Sequence, residues 1–115
     1  MTSYFKSVDT LASFAKEKPF KADLFASGKL FVGLNCFQRG QSQKIHVHSD
    51  SDKFYLVLSG KARMVVGTEI REAAAGTVVW APAEVPHGVA EALEETVMLV
   101  AMAPPPGHVT YSPSP

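Results

Sequence analysis

The chain has 115 residues, with 11 Lys and Arg against 11 Asp and Glu, a single Cys, and 46% hydrophobic residues. Length and composition predict one domain over residues 1–115 and leave no room for two. A formal charge of zero supplies no field that would gather phosphates or an anionic membrane surface, so neither nucleic acid nor a membrane is an expected partner.

Cys36 has no intrachain thiol to pair with and sits in an apolar run, which predicts a reducing, cytoplasmic setting. The N-terminus MTSYFKSVD has no continuous apolar stretch of the signal-peptide kind, so secretion is not expected. Residues 7–18, SVDTLASFAKEK, offer Ser7 and Asp9 as caps and place Leu11, Phe14 and Ala15 at helical spacing. Pro19 then stops the pattern, so one short helix is predicted within an N-terminal segment, residues 1–19.

From residue 20 the punctuation changes to short apolar runs separated by Gly, Ser, Asp and Pro. Strands are predicted at Phe20–Phe25, Leu30–Phe37, Gln43–His48, Lys53–Leu58, Ala62–Val66, Thr68–Ala73, Thr77–Trp80, Gly88–Ala92 and Thr96–Met102. So many short strands with tight turns predict an all-β sandwich or barrel. Phe31, Phe37, Phe54, Tyr55, Met64, Trp80, Leu99 and Met102 are the stock from which its core is drawn. The ending over residues 103–115 is rich in proline, which lacks the N–H of a central strand, and reads as a surface tail carrying His108.

The chemistry lies in residues 40–60. His46 and His48 are two apart on a predicted strand, so both imidazoles project from one face, a spacing suited to a first-row transition metal. His87 follows the stiff APAEVP run on the approach to another strand. Gln41 and Gln43 have the opposite parity and are assigned to the other face unless a bulge intervenes. The SDSD run, Ser49 to Asp52, reads as a polar turn.

These residues resemble the cupin family of small β-barrels. The family's first motif reads G, five residues, H, one, H, three or four, E, six, G; Gly40, His46, His48 and Gly60 match it, and Lys53 replaces the Glu. Its second reads G, five residues, P, one, G, two, H, three, N; Gly76, Pro82 and His87 match, while Glu84 and Glu91 replace its Gly and Asn. At ordinary Gly and Pro usage, a chance match at Gly40, Gly60, Gly76 and Pro82 is of order one in 10⁵.

The resemblance implies a jelly-roll-like double-stranded β-barrel with His46, His48 and His87 as metal ligands. Three neutral imidazoles leave the full charge on the ion and open positions for a small anionic or chelating metabolite. Iron in a non-haem dioxygenase is the leading expectation. Zinc, nickel or manganese in a redox-free sugar or keto-acid isomerase or lyase is one alternative, and a ligand-binding or sensor barrel another. Lys53 has the strand parity of Tyr55 and is assigned to steadying developing negative charge, with Tyr55 orienting the substrate through its hydroxyl. The rival for Lys53 is a salt bridge to Asp50 or Asp52, and for the histidines a set of satisfied core imidazoles. Cys36 reads as a buried apolar residue. An apolar patch on so short a barrel is expected to pair two copies in a homodimer.

Overall fold

The computed structural model describes residues 3–105, and in it residues 20–103 form two antiparallel sheets. One sheet has the order β1-β2-β9-β4-β7, from Phe20–Ala26, Phe31–Phe37, Thr96–Ala103, Asp52–Ser59 and Val78–Ala81. The other has the order β3-β8-β5-β6, from Gln43–His46, His87–Ala92, Lys61–Val66 and Glu69–Ala74. Together they make the jelly-roll barrel that the motifs implied. Each predicted strand is present with its ends displaced by at most two residues, because period-two apolar patterning and the turn glycines carry the signal.

Alternation explains the core. On β4, Lys53, Tyr55 and Val57 face the second sheet, while Phe54 and Leu56 face outward. Tyr55, Val57, Phe37, Met64, Val89, Met98 and Val100 fill the space between the sheets. Strands β2 and β9 are buried on both faces, since their outer side carries a second cluster of Leu24, Leu34, Cys36 and Val97 beneath the N-terminal segment. Each such side chain taken fully from water contributes roughly 1.5–3 kcal/mol.

The N-terminal helix is much shorter than predicted, a single turn at Val8–Leu11 in which Ser7 makes no side-chain cap. Tertiary packing overrides helical spacing here. Val8, Ala12 and Phe14 lie on the outer cluster, and the Ala15 and Lys16 carbonyls accept from Gln41 Nε2 at 2.7 and 3.3 Å. Trp80 also departs from expectation. It pairs with Phe54 on the outer face of β7 and is 56% exposed, so it is not core. Among the described residues no helix is long and apolar enough to cross a membrane. His108 and most of the proline-rich ending lie outside the described residues.

Candidate functional site

His46 on β3 and His87 on β8 are direct cross-strand partners. His48 follows just beyond the end of β3, where its carbonyl accepts from Glu84 N at 2.8 Å. Glu84 stands where the family motif has Gly, and its φ of 70° is the left-handed conformation that the motif's glycine suits. Asp52 Oδ1 braces the same loop by accepting from Ala83 N at 2.9 Å.

The three rings converge. Their centroids are 4.4 Å apart for His46 and His87, 4.8 Å for His46 and His48, and 5.4 Å for His48 and His87. One ring nitrogen from each lies within 4.8 Å of the others. The Nδ1 atoms of His46 and His87 contact the carbonyls of Lys44 at 2.7 Å and Val85 at 2.9 Å. A carbonyl only accepts, so each Nδ1 carries the proton and each Nε2 keeps a free lone pair. His87 Nε2 is buried without a hydrogen-bond partner. Such an atom is costly unless something coordinates it, so these residues fit a divalent metal.

Electrostatics keeps the rings neutral. Burial pulls His46 and His87 below the ordinary imidazole range, against the opposing effect of their carbonyl bonds. Burial first, then the neighbouring rings and the charge of Lys53, lowers His48 to about 4. A free imidazole near 6.5 takes its proton earlier as pH falls, so the unfolded chain binds more protons between these values. Stability of the metal-free protein is therefore expected to be full above pH 6.5 and to decline towards pH 4. Urea unfolding at pH 7 and pH 5 should show a smaller loss in His48→Gln than in the wild type; identical losses would refute the cause assigned here.

Lys53 is buried at 5% exposure, and its Nζ lies 4.5 Å from the centre of the Tyr55 ring. Among the described residues it forms no ion pair. The salt bridge to Asp50 or Asp52 is thus absent, because Asp52 is engaged by the Ala83 amide and Asp50 is exposed. Burial, followed by the Lys21 charge, lowers the ammonium to about 8. Tyr55 is fully buried, its pKa is raised by that burial, and its hydroxyl donates to Gln43 Oε1 at 2.8 Å.

A cleft of about 870 Å³ opens over His46, His48 and Lys53, with Gln43, Asn35 and Ser42 also lining it. Four lysines, Lys18, Lys21, Lys44 and Lys53, line it against a single carboxylate, Asp23. Such a wall favours anions.

Sequence parity missed Gln43. The pairs Gln43 with Val89 and His46 with His87 differ in register by one residue, so a bulge at Lys44 and Ile45 turns both Gln43 and His46 inward. No Gly or Pro marks that bulge in β3 itself. The signal lies across the sheet at Gly88, where a Cβ would sit 2.8 Å from the Gln43 carbonyl oxygen and 3.0 Å from Ile45 Cα. Gln41 points the other way, to the N-terminal segment, as parity predicts.

Comparisons with known proteins agree with this architecture. The cupin domain model matches residues 33–103. An uncharacterized protein of Streptomyces coelicolor is 40% identical over 76 residues, covering 64% of this chain and 70% of that protein. The crystal structure of TT1209 from Thermus thermophilus is 38% identical, with a TM-score of 0.85 over 90% of this chain and 100% of that one. An RmlC-like cupin protein from Desulfovibrio desulfuricans is 28% identical, with a TM-score of 0.78 over 89% of this chain and 99% of its own. Family match, sheet order and relatives converge, and the chain belongs to the cupin family.

Proposed function

We propose that this cupin holds a divalent transition metal through His46, His48 and His87 and acts on a small anionic, chelating metabolite, with iron and an oxygen-dependent reaction as the favoured pairing. The observation that carries the reading is the pair of pinned Nδ1 atoms, which leave the Nε2 lone pairs of His46 and His87 free, that of His87 buried without a partner, in a set of rings whose ligand atoms lie within 4.8 Å of one another. A bound ion would supply Lewis acidity and, if iron, one-electron chemistry with oxygen.

The chain's own contribution is recognition and charge. Lys53, buried and free of carboxylates among the described residues, steadies negative charge on the ligand. Tyr55 carries the Lys53 ammonium on its ring and spends its hydroxyl on Gln43, so it orients the ligand through those two neighbours. Phe31, Phe37, Val100 and Met102 supply apolar wall.

Metal analysis of untagged protein is the test. About one ion per chain is expected, and none in His48→Ala. Turnover that depends on dissolved oxygen supports the favoured reaction; equal rates under argon would place the site with redox-free isomerase or lyase chemistry. Wild-type protein that takes up no added ion would leave only a ligand-binding barrel. The proposal extends to a homodimer in a cytoplasmic setting. Supporting it are the exposed Leu58, Val78 and Trp80 on β4 and β7, and the buried free thiol of Cys36.

A further inference from the structure

Tyr55 supports two groups at once. Its ring face carries the Lys53 ammonium at 4.5 Å, and its hydroxyl donates to Gln43 Oε1 at 2.8 Å. The hydroxyl has no other partner among the described residues, and the phenol is fully buried. If the carboxamide were turned over, the phenolic proton would be buried with no acceptor, so the hydroxyl holds the amide oxygen toward itself and the NH₂ away. Gln43 Nε2 bonds to nothing among the described residues, and it is not among the fully buried atoms that lack a partner. That amide nitrogen is therefore not sealed in the core, and Gln43 lines the cleft together with His46, His48 and Lys53.

We infer that Gln43 is a ligand-recognition residue whose NH₂, with the Lys53 ammonium on the same ring, forms a two-donor clamp for a small 2-oxo or 2-hydroxy carboxylate. The inference deepens the proposed function and rests on its reading of the cleft as an anion site. The ammonium is a point charge that takes a carboxylate. The amide is a neutral donor that suits the carbonyl or hydroxyl oxygen beside it. Two adjacent oxygens are also a donor set that could chelate a divalent ion held by His46, His48 and His87.

The test uses the full chain, metal-free and zinc-loaded, titrated by NMR with pyruvate and with propionate, which lacks the second oxygen. Wild-type protein should prefer pyruvate by about tenfold or more. Gln43→Glu keeps an acceptor for the Tyr55 hydroxyl but loses the NH₂; pyruvate affinity should fall roughly ten- to a hundredfold and the preference should collapse towards one. Tyr55→Phe keeps the ring beneath Lys53 and releases the amide, so the preference for pyruvate over propionate should fall several-fold. An undiminished preference in both variants, or none in the wild type, overturns the inference and leaves Gln43 as a mere partner for the phenol. Wild-type protein that shows the preference yet takes up no zinc sinks the metal reading alone. Zinc uptake without the preference sinks this inference alone.

Discussion

Added zinc is expected to raise the melting temperature of the wild-type protein and to leave that of His87→Leu where it was. A ligand that binds only the folded state stabilises by about 2.7 kcal/mol at one hundred times its dissociation constant, roughly 10 °C for a domain of this size. His87 belongs to the site by position, since it faces His46 across β3 and β8, and by chemistry, since its Nε2 is buried without a partner. Leucine has a similar volume and removes that orphaned atom, whose burial costs about 1–3 kcal/mol, while giving up the bond to the Val85 carbonyl. The two effects oppose, so the metal-free melting temperature should stay close to that of the wild type. Thermal melts with and without zinc separate a lost ligand from a damaged fold. An equal zinc-induced shift in both proteins would show that the ion binds elsewhere.

Gly60→Ala is expected to cost about 2–5 kcal/mol, much of the 5–15 kcal/mol that holds a domain folded. Gly60 has φ 83° at the β4–β5 turn, and a Cβ there would run into the Glu95 carbonyl oxygen and stand 2.6 Å from Thr96 Oγ1. The left-handed conformation accounts for about 1–2 kcal/mol and the displaced backbone for about 1–3 kcal/mol. Thr96 has little room to give, because its hydroxyl bonds the Glu94 carbonyl at 2.8 Å and accepts from Lys61 N at 3.2 Å. Gly76→Ala is the control. Its φ is 91°, yet nothing lies within 4 Å of an added Cβ, so only the conformational part of the cost applies. Urea unfolding of both variants should show the larger loss at Gly60; similar losses would mean that the contacts at Glu95 and Thr96 are yielding.

Five positions show what kind of information each level holds. His46 and His48 are legible because parity along one strand puts them on one face, and His87 because the second motif places it after a stiff proline-bounded turn. Trp80 is misread by composition, which counts an indole as core without knowing which face of β7 it occupies. Gln43 is misread by parity, because a bulge inverts the alternation, and the glycine that leaves room for it, Gly88, sits on a different strand.

Chain-local physics sufficed for the strands, their turns and the His46–His48 pair, while His87 joined that pair through the resemblance to the family's second motif. Alternation, turn glycines and residue spacing act over a few neighbouring residues and need no partner. Only the tertiary structure decided that the N-terminal segment keeps a single helical turn, that Lys53 is buried without a carboxylate, and that Gln43 faces the cleft. Each of those depends on what lies opposite across a sheet or between sheets: an apolar face to cover, a carboxylate already taken by Ala83, a glycine that admits a bulge. Such contacts join residues far apart in sequence, and no local pattern encodes them.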